Sequence, residues 1–220
     1  GFFRWRYGNV ICECIKENFV GSDLMNMLEV PAYYDSDANF FITKMYQNEI
    51  PFASIENKEG NIDFGSGSAL EETTKLLADI RSAHKDGLIT TKGIINKYGS
   101  DYFTNEKTIF SIGSSGGAGY NFPKADAFEL GICRVPASND NPIYVTQGPT
   151  LTLFNNSSLS AEKNQTTLET AWKFMKYITN GQVNAELCVN GSEGYVPVRY
   201  SAYETELFQT FMEEGEKYAQ

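Results

Sequence analysis

Apolar and polar positions along the chain follow neither a helical nor a strand period over residues 1–30, and "VICECI" fits a short strand or part of a helix equally well. From "YYDSDANFFITKMYQNEIPF" onward the pattern sharpens. Asp35, Ser36 or Asp37 is placed to cap a helix over Asn39 to Asn48, and Pro51 follows its end. "ENKEGNIDFGSGS" then predicts a turn, a short strand and a loop. Ser68 with Glu71 forms an S-x-x-E capping box, and Leu70, Leu77, Ile80 and His84 recur along one stripe until Gly87 closes the helix. "LITTKGIINKYGSDYFTNEKTIFSI" predicts a loop, a short helix and a strand.

Two further segments alternate at period two. Phe128, Leu130 and Ile132 do so in "AFELGICRVP", as do Ile143 with Val145 and Leu151 with Leu153 around the Gly-Pro break of "NPIYVTQGPTLTLF". Both predict strands of a sheet. The last third is helical: Leu168, Ala171, Trp172, Met175 and Ile178 share a face, and Asn180-Gly181 interrupts. Val183, Leu187 and Cys188 begin a second helix ended by Asn190-Gly191, and a final helix runs through Leu207, Phe208 and Phe211. Interleaved strands and helices of this kind define an α/β layered architecture.

Composition narrows the range of partners. The 220 residues are 41% hydrophobic and 21% charged, enough for one sizeable core or two smaller ones. A net charge of −10, with no basic block, argues against nucleic acid, whose phosphates require clustered cations. No stretch approaches the roughly 18 consecutive apolar residues of a membrane span. The opening residues carry no secretory leader pattern, and the chain begins without Met, so a processed or partial chain is expected and compartment is left open. Cys12, Cys14, Cys133 and Cys188 lack a second close pair, and a C-x-C with a single histidine elsewhere is a weak metal signal. Buried free thiols are the expectation, with a Cys133 to Cys188 bridge left open.

The chemistry turns on "TIFSIGSSGGAGY", residues 108–120, where Gly113 to Gly117 fit G-x-S-x-G. A nucleophilic Ser115 requires a base within hydrogen-bond reach, and in the fold that carries this elbow the histidine follows the serine. His84 is the only histidine and precedes it; its place near a helix C-terminus predicts a partly buried or dipole-facing ring. Phosphate cradles fail too, because Gly119 is followed by Tyr120 where a lysine is needed, and Phe122 stands where G-x-G-x-x-G requires glycine. Two readings remain. The bend is either a strand-ending turn without a ligand or a cradle whose small residues, amides and hydroxyls receive a polar solute.

The order of "YDSDANFFIT", "DYFTNEKTIFSIGSSGG", "FELGICRVPASNDNPIYVTQGPTLTLF", "AWKFMKYITNGQVNAELCVNGSEGYVPVR" and "SAYET" resembles the family 1 extracellular solute-binding proteins. These are the receptors of ATP-driven importers for sugars, oligosaccharides and glycerol phosphates. The resemblance spans residues 33–220. It implies a periplasmic-binding-protein-like lobe of the type II kind, a mixed sheet flanked by helices, with the first lobe largely missing. Residues 33–147 would form the second lobe, 148–198 a return segment that packs on the first lobe, and 199–220 a C-terminal helix.

By the same resemblance Ser114, Ser115 and Gly116 present hydroxyls and amides to the solute. Gly148 would lie on a crossing strand where a side chain obstructs the cleft, and Tyr195 would reach the solute from the return segment. Tyr120, Gln147, Glu193 and Arg199 are weaker ligand candidates. No catalytic residue, metal or cofactor is expected. The partners implied are a small solute of sugar, oligosaccharide or glycerol phosphate type and an ABC permease. The location implied is extracytoplasmic, through a lipoprotein anchor in the full-length form. Two consequences are expected of a partial chain, namely poor solute affinity on its own and self-association through the Trp172 stripe. A non-transport interaction module of the same fold is the alternative, and a serine hydrolase the distant one.

Overall fold

The computed structural model describes residues 17, 23, 27–124, 127–137, 142–191 and 194–216. The described chain divides into two compact units. The first holds the residues up to Ser114 together with Tyr120–Thr146, and the second holds Ser115–Gly119 with the residues from Gln147 onward.

The first unit is built on three parallel strands, β1 (Ala32–Tyr34), β4 (Ile89–Thr91) and β5 (Phe110–Ile112), in the order β4-β1-β5. Ala32 is registered with both Ile89 and Phe110, so β1 is the central strand. Every residue of β1 and β4 is buried. This is why "LITT" gave no strand signal: a short parallel strand covered on both faces has no polar side to alternate with.

Helices α1 (Asp37–Gln47) and α2 (Gly67–Lys85) cover one face, where Phe40, Ala83 and Leu88 join Ala32, Tyr34 and Ile89 in one core cluster. Two short helices, α3 (Lys92–Ile95) and α4 (Gly99–Thr104), serve the other face, where Tyr33 and Tyr102 pack with Val30 and Ile95.

Ser36 proves to be the cap of α1, its Oγ accepting from the Asn39 amide at 3.2 Å. The capping box expected at Ser68 does not form. Helix α2 starts at Gly67 behind Ser66, whose carbonyl already accepts from the Leu70 amide, so Ser68 lies within the first turn. The stripe also turns: Ala69, Thr73 and Ala83 are buried, while Leu70 and Leu77 are about half exposed. Small residues let α2 approach α1 closely, bringing Thr73 Oγ1 to 3.6 Å from Met45 Sδ.

Between the two helices lies a hairpin, β2 (Ala53–Glu56) and β3 (Glu59–Ile62), with positive φ at both Asn57 and Lys58. That pair of left-handed residues is the hallmark of a type I′ turn. The sequence predicted only one strand here because Ile55 and Ile62 face solvent and no inward side alternates with them.

The strands expected over 128–132 and 143–153 are absent: apart from single bridges at Ile132 and Ala137, the described residues of these segments join no sheet. Tyr144, Leu151 and Phe154 are exposed rather than inward-facing. Alternation supplies a face, but a strand also requires a neighbouring ladder, and neither sheet extends to these segments. Buried polar bonds hold part of the stretch instead. Gln47 Nε2 donates to the carbonyls of Pro136 and Ile143 at 3.1 and 2.9 Å, and Lys44 Nζ donates to Pro136 O at 3.1 Å and to Gln47 Oε1 at 2.6 Å. Burial holds the Lys44 ammonium down to about 7.

The second unit is helical. Helix α5 (Ala161–Ile178) is capped by Ser160, and α6 (Gly181–Val189) by Asn180, whose Oδ1 accepts from the Gln182 amide at 3.0 Å. Helices α7 (Tyr200–Tyr203) and α8 (Glu206–Glu216) pack on α6, with Ala185, Ala202 and Phe208 at the centre. Among the described residues no helix is long and apolar enough to cross a membrane. Cys133 and Cys188 are not bridged to each other; Cys188 is buried as expected, whereas Cys133 is exposed because its segment joins no sheet. Cys12 and Cys14 lie outside the described residues.

Candidate functional site

All three strands of the β4-β1-β5 sheet are parallel, so the residues that follow them gather at one sheet edge. Asp35 follows β1 and is tied to β5 through its amide, which donates to Ile112 O at 2.8 Å. Its Oδ1 accepts from the Gly99 amide at 2.8 Å. Gly113 follows β5 so closely that a Cβ there would lie 3.5 Å from Asp35 Cβ and 3.9 Å from Asp35 Oδ2. Asp37 has both oxygens engaged, accepting from Thr91 Oγ1 at 2.6 Å and from the Gly93 amide at 2.8 Å. The nearby cation is parked as well: Lys92 Nζ lies 3.4 Å from the centroid of the Tyr98 ring. Beneath this edge the Tyr33 phenol donates to Lys97 O and is pushed up to about 12, first by burial and next by the charge of Asp35.

Ser114 stands at this edge of the first unit, exposed, directly after Gly113. Tyr120 belongs to the same unit and its ring is largely in solvent.

In the second unit the glycine-rich bend meets the segment that carries Tyr195. Ser115–Gly119, the part of the 3₁₀ helix Ser115–Asn121 that belongs to this unit, hold Gly116 directly against the Tyr195 ring. A Cβ added to Gly116 would stand 2.3 Å from Tyr195 Cε1. Gly194 is packed just as closely, since a Cβ there would stand 1.9 Å from the Ser115 carbonyl oxygen. Glycine is therefore required at both positions by close approach, Gly116 to admit a ring and Gly194 to admit main chain. Tyr195 remains 46% exposed.

The structure thus brings Ser115, Gly116 and Tyr195 together. It does not bring Gly148 to them by any contact: Gly148 is exposed, lies in no strand, and a Cβ there would meet nothing within 4 Å. The expected obstruction by a side chain on a crossing strand has no counterpart, because the strand itself is absent. Gln147 is likewise exposed and strandless. Arg199 precedes α7 and lines, with Thr179, Val198, Tyr200 and Ser201, an open hollow of about 550 Å³. Glu193 lies outside the described residues.

His84 sits in the last turn of α2, as expected, and its Nδ1 is within 3.1 Å of the Ile89 carbonyl oxygen. A main-chain carbonyl thus occupies the ring position that an acid holds in a Ser-His-Asp triad. Among the described residues no group of three or more His, Cys, Asp or Glu is arranged to hold a metal ion.

Asp35 and Gly194 escaped the sequence reading as site residues. Asp35 was visible only as a candidate cap, although an acidic residue at the exit of an α/β strand is a signal of its own.

A model of the bacterial extracellular solute-binding proteins matches residues 12–213, nearly the whole chain. The protein belongs to that family. The parallel sheet flanked by helices agrees with the periplasmic-binding-protein-like fold, and the role is solute binding outside the cytoplasm. The match begins at residue 12, within the stretch whose periodicity was unreadable and ahead of the segments that carry the resemblance. No curated protein matches the chain.

Proposed function

We propose that this chain is the solute-binding component of an ABC importer and takes a carbohydrate or related small polar solute. One observation supports this reading above the rest: the Tyr195 ring is laid against Gly116 and still stands about half exposed. An aromatic ring covers the apolar face of a sugar and offers one directed hydroxyl, while small residues beside it leave amides within reach of the solute. Ser115 and Gly116 act with Tyr195, and Ser114, Gly148, Tyr120, Gln147, Glu193 and Arg199 complete the proposal as ligand-facing or ligand-near positions.

Binding needs no covalent step, which suits a bend whose serines have no acid-oriented histidine supplied for them. The division into a second lobe (33–147), a return segment (148–198) and a closing helix (199–220) belongs to the same proposal. It is supported by the boundary between compact units at Thr146 and Gln147. The permease partner, a lipid anchor and self-association through the Trp172 face are parts of the reading that follow from the family's way of working.

Calorimetry with neutral saccharides tests it. A sugar should bind only weakly to this chain alone, Tyr195→Ala should weaken that binding by about tenfold, the loss expected of one aromatic stacking contact, and Gly116→Ala should do the same by pushing the ring aside. Ester hydrolysis abolished by Ser115→Ala would refute the reading in favour of an enzyme.

A further inference from the structure

Resting on the receptor reading, we propose that Asp35 sets the charge preference of the strand-end edge of the first unit beside Ser114: its second carboxylate oxygen accepts from uncharged, polyhydroxylated solutes and turns anionic solutes away. In α/β sheets, solutes bind outside the carboxyl ends of the strands, beside the strand from which the chain departs to opposite sides. Here that strand is β1, with β4 on one flank and β5 on the other. Asp35 is the first residue past it.

The Asp35 carboxylate is half used. Oδ1 is committed to the Gly99 amide, while Oδ2 has no hydrogen-bond partner among the described residues and lies over Gly113, where the missing side chain leaves it uncovered. The adjoining position is Ser114, a candidate ligand residue of the same unit. An acceptor with a free lone pair beside a hydroxyl and open main chain suits a donor-rich solute.

The other charges at this edge do not offset Asp35. Asp37 carries the same sign and is bonded to Thr91 and Gly93, and the Lys92 ammonium rests on the Tyr98 ring. No helix end invites an anion either. The first turn of α1 already holds Asp37, and the Gly99 amide that opens the six-residue α4 is taken by Asp35 itself. A phosphate or carboxylate solute at Ser114 would meet an unneutralised like charge on a chain of net charge −10.

Isothermal titration of the full chain tests this with two arms of probes: neutral mono- to tetrasaccharides, and the anions sn-glycerol 3-phosphate and glucose 6-phosphate. At high probe concentration wild type should bind a neutral saccharide, weakly, and neither anion. Asp35→Asn keeps an acceptor for Gly99 but replaces the anionic oxygen, so saccharide Kd should rise by about tenfold or more while anions gain affinity. Gly113→Ala introduces a methyl in ordinary contact and screens Oδ2, so it should weaken the saccharide several-fold with an unchanged Tm. It decides the matter should Asp35→Asn fail to fold.

Saccharide affinity unaltered in both variants, or anions preferred by wild type, would overturn the inference and leave the receptor reading standing. Binding of no probe in either arm would overturn both.

Discussion

Helices α1 and α5 open alike, each behind a serine whose hydroxyl accepts from the main chain three residues on, yet they end up in opposite surroundings. Helix α1 buries Phe40, Thr43, Lys44, Met45 and Gln47, two of which are long polar side chains enclosed with hydrogen-bond partners. Helix α5 buries no residue, and Trp172, Phe174 and Tyr177 all stand more than half exposed. Local pattern therefore fixes which side of a helix is apolar and leaves open whether anything covers it. Tertiary cover is the variable that separates the two.

Substitutions should expose that contrast, beginning with the buried helix. Phe40→Ala removes a ring that is 3% exposed and lies tilted against Tyr34, with centroids 4.6 Å apart. It should cost about 3–5 kcal/mol in urea unfolding. In the helical unit Gly194→Ala forces main chain off Ser115 and should cost about 1–3 kcal/mol, the range for overpacking, along with solute binding. Trp172→Ala should cost under about 1 kcal/mol because half the ring is already in water. If its cost rivals that of Phe40→Ala, then α5 is covered in solution and the contrast fails. Gly148→Ala should stay within about 0.5 kcal/mol, since the new methyl meets nothing.

A pH series sharpens the same comparison through Lys44. Its ammonium titrates near 10.5 when the chain is unfolded and near 7 in the fold, with burial as the cause. Between those values the unfolded chain binds a proton that the folded one lacks, so stability rises as pH climbs from 7 toward 10 and is lost again on the way down. Lys44→Met should flatten that slope in urea titrations between pH 7 and 9.5. Above this window the Tyr33 phenol, pushed up to about 12, acts in the opposite sense, holding its proton longer in the fold than in the unfolded chain. A slope that survives the substitution would mean that Lys44 is not the linked group.

Legibility in the sequence followed what each signal measures. Helices α1, α5 and α6 were readable because apolar spacing, a polar residue at the start and a terminal Asn or Gly agree, and α8 was readable from Leu207, Phe208 and Phe211 alone. Strand β4 was not, since three residues buried on both faces show no alternation. The reverse error fell on Ile143, Val145, Leu151 and Leu153, whose alternation is genuine but finds no ladder. At the site, the glycine-serine bend and Tyr195 were legible through resemblance and by composition. Their mutual contact was not, because it depends on Gly194, which carries no chemistry and matters only for the room it leaves. Lys44 and Gln47 were invisible for a different reason, as long polar residues inside a helix ordinarily face water.

The central strand has a kinetic corollary. Ala32 meets its partners Ile89 and Phe110 only after two helices and a hairpin have been spanned, so the sheet cannot zip up from neighbours in sequence. Such distant pairing is slow, on the order of milliseconds to seconds. A sluggish chain remains threadable for longer, which is an asset for a polypeptide whose workplace lies beyond the membrane it must first be passed through.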